Sequence, residues 1–272
     1  MTAPLRDSFA HDGVVLVRDA VASDWLARLD LIVDRIAATP GRWATDTGDQ
    51  AGRGRSVDER YLWRDDATVR SFALESGIAG LVSEAMDCRT LRFYYDHWFL
   101  KERGPLTATP WHQDAPYWPF SGRQIASAWL ALTDVDEGSS ALEIVKGSHR
   151  WNKQYRPTRF VPSDGKDDWI NNSGADGEEM PDIDANRDSY DIFHEPMHRG
   201  DVLIFSAWCV HAAPANTTST RRAAVSTRWL GDDVLWRPHA GADPTVGRDD
   251  VALAPGDQVT DDDRFPIAWK KS

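Results

Sequence analysis

His112 and Asp114 stand one residue apart in the run Pro110-Trp111-His112-Gln113-Asp114. In an extended segment residues i and i+2 point to the same side, so an imidazole and a carboxylate are expected to project together. They are two of the three ligands of the 2-His-1-carboxylate triad, which binds non-haem Fe(II) and leaves positions open for reactants. An H-x-D pair by itself also arises as a surface histidine near a carboxylate, so a third ligand must come from elsewhere. His211 is the candidate. It closes the apolar run Gly200-Asp-Val-Leu-Ile-Phe-Ser-Ala-Trp-Cys-Val-His211, which predicts a buried strand presenting a histidine at its end. Arg222 lies 11 residues further on, at the edge of another apolar strand. Its planar fork matches a carboxylate, supplied either by a structural salt bridge or by a bound acid. Arg221 competes for that role, but strand alternation puts the two on opposite faces, so only one can point inward.

These residues need strands to carry them. Gly13 to Val17 reads as a short buried strand. Trp25, Leu26, Leu29, Ile32, Val33 and Ile36 recur at spacings of 3 and 4, which predicts an amphipathic helix with Ser23 as N-cap and Pro40-Gly41 beyond its end. Residues 43–60 are polar and arginine-rich and read as a loop, and 76–86 as a second helix. After Arg89 the texture is β, with strands expected at 91–101, 125–132, 141–145, 202–205 and 223–230. Residues 163–191 are crowded with Asp, Asn, Ser and Gly and are expected to form a lid or a surface insertion. Helices followed by many separated strands predict a mainly β sandwich or barrel with flanking helices.

The chain has 272 residues and a net charge of −12, with 31 Lys+Arg against 43 Asp+Glu. No internal repeat or linker divides it, so 1–272 is expected to be a single domain. An apolar fraction of 41% with 13 Trp supplies one sizeable core and excludes a disordered chain. Without a Lys/Arg-rich tract it is a poor nucleic-acid binder. Two cysteines, Cys88 and Cys209, make no disulfide framework. No run approaches the ~18 apolar residues of a membrane span, and the N-terminus has no signal-peptide core, so a cytoplasmic protein is expected. Nothing in the sequence sets an oligomeric state.

The sequence resembles the phytanoyl-CoA dioxygenase family of Fe(II)/2-oxoglutarate oxygenases. The resemblance runs through Phe9-Ala-His-Asp-Gly13-Val-Val-Leu-Val, Trp111-His-Gln-Asp114, Ile125-Ala-Ser-Ala-Trp129-Leu-Ala-Leu, Gly147-Ser-His149, and Gly200-Asp-Val-Leu-Ile-Phe with His211 and Arg222. It implies a double-stranded β-helix (jelly-roll) core, iron held by His112, Asp114 and His211, and the 2-oxoglutarate C5 carboxylate clamped by Arg222. Gln113 and Trp129 match family positions that touch the cosubstrate, and Ser127 shares a strand face with Trp129. The resemblance also turns Phe93, Tyr95, His97, Phe99 and Lys101 toward the pocket, with His97 and Phe99 as cosubstrate contacts. Tyr95, Tyr117 and Trp118 are expected to wall the substrate site. One departure is Ala213, where many relatives carry a hydroxyl for the cosubstrate; another hydroxyl, such as Ser127, or a water is the expected substitute. The implied activity is hydroxylation of a small organic substrate by O₂, with release of succinate and CO₂. Relatives that halogenate have a small residue where Asp114 stands, so chlorination is not expected. A zinc hydrolase could use the same three donors, but no H-E-x-x-H supplies a base and Arg222 would have no task. A non-catalytic ligand binder is the remaining alternative, and the intact triad and arginine speak against it.

Overall fold

Three strands buried along their whole length form the centre of the molecule, Ile125–Ala131, Val202–Ser206 and Arg222–Leu230. They lack the alternation of apolar and polar residues because the sheet is covered on both faces. In the computed structural model, which describes residues 4–48, 54–102, 108–158, 176–243 and 245–271, they belong to an eight-stranded antiparallel sheet. Its order is β1 (Val14–Val17), β10 (Val202–Ser206), β7 (Ile125–Ala131), β12 (Arg222–Leu230), β4 (Thr90–Lys101), β3 (Ser56–Arg60) and β2 (Thr45–Asp46). A further strand, β14 (Ile267–Lys270), pairs with β4. A smaller sheet runs β5 (Thr109–His112), β11 (His211–Ala213), β8 (Glu143–Val145), β9 (Ile192–Phe193), and a ribbon joins β6 (Phe120–Ser121) to β13 (Leu235–Trp236). The two sheets make a double-stranded β-helix.

The period of two sorts the central strands. Val202, Ile204, Ala126, Ala128, Leu130, Ala223, Val225 and Trp229 face one cluster with the helices α1 (Leu5–Asp12), α2 (Ser23–Ala38), α3 (Ala67–Glu75) and α4 (Ile78–Met86). Leu203, Phe205, Trp129, Ala131 and Ala224 face the smaller sheet, meeting Ile144, Ala213 and Cys209. Ser127, Ser226, Arg222 and Arg228 lie on that second face by alternation, so the site is built between the sheets.

Several local expectations change. Helix α2 begins at Ser23 itself, with Ala22 at the N-cap and no side-chain cap. Two helices, α1 and α3, were not foreseen; Asp66 caps α3 by accepting a bond from Val69 N at 3.0 Å. The expected helix 76–86 starts only at Ile78, because Gly77 sits at φ +88°, a left-handed conformation open to glycine, and breaks the chain between α3 and α4. The expected loop 43–60 contains β2 and β3. Val57 and Glu59 of β3 are buried, and Glu59 is held by Gly41 N at 2.7 Å.

Part of the expected lid, 163–175, lies outside the described residues. Residues 176–191 are anchored to the smaller sheet: Glu178 bridges Tyr155, Ile183 is fully buried, and Asp184 accepts a 2.9 Å bond from the Trp111 indole next to His112. Both cysteines are free and buried. No described helix is long and apolar enough to cross a membrane.

Candidate metal centre

Strand β11 pairs with β5 so that His211 lies directly opposite His112, with ring centroids 4.1 Å apart. Each ring is fixed by its own backbone. Nδ1 of His112 donates to Pro110 O at 2.8 Å, and Nδ1 of His211 to Cys209 O at 3.1 Å. A carbonyl only accepts, so the proton sits on Nδ1 and each Nε2 carries a lone pair on the side of Asp114. Asp114 arrives by a different route from the one expected. β5 ends at His112, and Asp114 has helical backbone angles (φ −74°, ψ −44°) at the start of a 3₁₀ turn. That turn, and not strand alternation, brings Asp114 Oδ1 to 3.8 Å from both Nε2 atoms.

The three donor atoms all lie within 4.8 Å of one another, spacing that fits one metal ion. Burial, with the neighbouring His211, depresses His112 to about 3, and burial also lowers His211. Burial opposes ionisation of Asp114, but Arg228, the two histidines and the Ser127 hydrogen bond outweigh it and hold the carboxyl at about 2. At neutral pH the set is therefore two neutral imidazoles and one carboxylate, the protonation state that divalent metal binding requires.

The second carboxylate oxygen is also committed. Asp114 Oδ2 accepts from Ser127 Oγ at 2.7 Å and lies 3.3 Å from Arg228 Nη1. Ser127 and Arg228 are direct cross-strand partners on β7 and β12. The hydroxyl proton of Ser127 is thus spent on the ligand carboxylate and is not free for a cosubstrate. Arg228 was missed from the sequence, although it shares a strand face with Arg222 by the period of two. Gln113 departs from its expected role in a similar way. Its amide donates to Lys153 O and Trp208 O, and its Oε1 accepts from Tyr155 N, so its amide hydrogens tie backbone segments together.

A pair of buried cations lies further along the same sheet face. Arg222 Nη2 donates to Ser140 O at 2.9 Å and to Ser140 Oγ at 3.2 Å, and its guanidinium stands 5.3 Å over the Trp129 ring. Lys101 is the cross-strand partner of Arg222, and its Nζ donates to Ser140 Oγ at 2.9 Å. Burial, reinforced by the Arg222 charge against the attraction of Asp58, lowers Lys101 to about 7, and burial lowers Arg222 to about 10. Among the described residues Arg222 Nε has no partner. Arg221 points outward to Glu102 and Asp34. The hydroxyl beside Arg222 is therefore Ser140, which sequence reading missed; neither Ala213 nor Ser127 supplies it. Trp129, under the Arg222 guanidinium, and Ser127, bonded to Asp114, are two residues apart on one face of β7, so the cationic end and the triad end are reached from the same strand face.

Aromatic side chains line the space near Asp114. Trp118 Nε1 donates to Tyr95 OH at 3.1 Å, and Arg228 lies against both rings, at 5.4 and 5.9 Å. His97 packs on Phe99 with centroids 4.0 Å apart, and its Nε2 has no partner among the described residues. Burial, with Arg60 and Arg228 nearby, keeps His97 neutral. The Tyr117 ring meets the His112 ring edge-on at 6.1 Å, while its hydroxyl donates to Thr158 O. Phe93 does not join this wall. A register shift between Thr227 and Trp229 in the β12–β4 pairing turns it to the helix side, against Trp63 and Trp229.

Residues 9–224 match the family profile described as phytanoyl-CoA dioxygenase. A curated relative, "Probable phytanoyl-CoA dioxygenase" of Caenorhabditis elegans, is 25% identical over 186 residues. That match covers 66% of this chain and 56% of the relative, so the chain spans little more than half of the relative's length. Among solved structures, the epimerase SnoN, crystallised with Fe3+, alpha ketoglutarate and nogalamycin RO, superposes with a TM-score of 0.75 at 24% identity, covering 97% of each chain. The carbocyclase SnoK of nogalamycin biosynthesis gives 0.72 at 21% identity, covering 98% of this chain and 96% of its own. At these identities the structures speak for the fold.

Proposed function

The chain belongs to the phytanoyl-CoA dioxygenase family, and from that premise we propose that it is an Fe(II)- and 2-oxoglutarate-dependent oxygenase that hydroxylates a small organic substrate. One observation carries the reading: a donor set of two neutral histidines and one carboxylate is tied through Asp114 to Ser127 and Arg228, on the same large-sheet face that carries the buried Arg222–Lys101 pair. A dicarboxylic acid needs both ends. His112, Asp114 and His211 would hold the metal, which supplies O₂ activation coupled to decarboxylation of the 2-oxo acid. Arg222 and Lys101 would take the far carboxylate, with Ser140 keeping the two cations aligned between them. Burying two cations side by side is costly, and burial still lowers both groups despite the attraction of Asp58, so that end of the pocket favours an incoming anionic group.

The residues of this chain have further tasks. The backbone bonds of Pro110 and Cys209 set the tautomer of each histidine. Tyr95, Tyr117 and Trp118 wall the space beside Asp114, keep water away and orient an apolar or aromatic portion of the substrate. His97 stays neutral and offers a nitrogen there. A zinc hydrolase with the same three donors would leave the cation pair without a task.

SnoN and SnoK carry out an epimerisation and a carbocyclisation by name, so the outcome has to be measured directly. A metabolite library screened for substrate-stimulated succinate release under ¹⁸O₂ is the test. Label incorporated into product is the expected result. Succinate release with an unlabelled, isomerised or cyclised product would replace hydroxylation with one of those outcomes.

A further inference from the structure

Asp114 has two oxygens, and the structure assigns them different partners. Oδ1 lies 3.8 Å from each histidine Nε2, which makes it the metal-facing atom. Oδ2 is held from behind by Ser127 Oγ at 2.7 Å and by Arg228 Nη1 at 3.3 Å. Arg228 itself cannot easily swing away. Its Nη1 also donates to Ser226 Oγ, its guanidinium packs against the Tyr95 and Trp118 rings, and the residue is only 4% exposed. Strand register enforces the arrangement, since Arg228 stands opposite Ser127 across the β12–β7 ladder.

We infer that Arg228, with Ser127, is a positioning residue that restrains Asp114 to one-oxygen coordination and so keeps a third position on the metal open. The inference rests on the iron and 2-oxoglutarate reading above. A carboxylate whose second oxygen is free can rotate and bind a metal through both oxygens, as carboxylate ligands do elsewhere. With two histidines and a bidentate cosubstrate also bound, such a rotation would fill the last of six positions. Tying Oδ2 to a hydroxyl and a guanidinium makes that rotation cost a hydrogen bond to a charged group and a buried ion pair, and it would leave the guanidinium without its carboxylate.

The test counts open positions by the EPR signal of nitric oxide bound to Fe(II), measured anaerobically with and without 2-oxoglutarate. The unmutated protein should give equal signals per iron in both conditions, because chelation leaves one position for nitric oxide. In Arg228→Met the signal without 2-oxoglutarate should persist, while the signal with it should fall about tenfold, within the range seen when a partner of a metal ligand is lost. A merely structural role would lower both signals together. Arg228→Lys and Ser127→Ala, milder changes that guard against misfolding of the methionine variant, should lie between. Equal signals with and without 2-oxoglutarate in every variant that binds iron would overturn the inference. Failure of the unmutated protein to form the 2-oxoglutarate chelate at all would instead overturn the oxygenase reading.

Discussion

Lys101 gives the cosubstrate site a pH dependence that can be worked out from its surroundings. Its ammonium is buried, donates to Ser140 Oγ, and feels Arg222 on the neighbouring strand, so it titrates near 7 instead of near its usual value of 10.5. An incoming carboxylate favours the charged form and raises that pKa again. Free protein thus loses the proton near pH 7 while the complex keeps it, and 2-oxoglutarate affinity must fall as pH rises above 7. A hydrogen bond between charged partners contributes about 1.5–3 kcal/mol, or roughly 10- to 150-fold in Kd. We therefore expect Kd to rise by at least about tenfold between pH 7 and pH 9. Lys101→Met should bind more weakly at pH 6.5 by a similar factor and show a nearly flat profile. Isothermal titration of Fe(II)-loaded protein with 2-oxoglutarate across this range is the assay. A slope in Lys101→Met equal to that of the unmutated chain would refute the assignment, as would a flat profile in the unmutated chain.

Other outcomes follow from the same geometry. Between pH 7 and 10 the unfolded chain holds the Lys101 proton and the folded chain does not, so folding stability should increase with pH in that window and lose much of the increase in Lys101→Met, as read by urea unfolding. Arg222→Lys keeps the charge but loses the fork over Trp129, and should raise the 2-oxoglutarate KM by about tenfold or more while iron affinity changes little; the reverse pattern, or a similar effect from Arg221→Lys, would contradict the inward placement of Arg222. Asp114→Gly should weaken iron binding and abolish hydroxylation, and product formed by the unmutated chain in chloride buffer should contain no chlorine by mass spectrometry. Asp66→Ala removes the N-cap of α3 together with the Arg35 pair, and should cost about 1–2 kcal/mol in chemical denaturation without changing metal affinity.

How much of this was legible beforehand depends on the physical source of each feature. The partition of β7, β10 and β12 between two faces follows from a period of two, so the central sheet could be read directly, as could the fact that only one of Arg221 and Arg222 turns inward; the choice of Arg222 came from the family resemblance. His211 was legible because an apolar run must end somewhere, and a histidine ends this one. Asp114 was placed with His112 on a strand argument, whereas a 3₁₀ turn delivers it; the proximity held and its cause did not. Ser140 left no trace, because it lies outside the strands at φ +69°, where no periodicity points. Lys101 was placed on the pocket face, but its bond with Ser140 beside Arg222 arises from β4–β12 register, which single-strand patterns do not contain. The register shift that displaced Phe93 is invisible for the same reason. Helix α1, of 8 residues, and α3, of 9, are too short for their apolar spacing to stand out from the polar sequence around them.

Whether one site binds iron and 2-oxoglutarate together is measured most directly by an anaerobic titration of the metal-free protein with Fe(II) and then 2-oxoglutarate. The expected result is a weak visible charge-transfer absorption that saturates at one iron and one 2-oxoglutarate per chain, absent with Zn²⁺ and displaced to higher 2-oxoglutarate in Arg222→Lys. Stoichiometric iron binding with no such absorption at any 2-oxoglutarate concentration would contradict it.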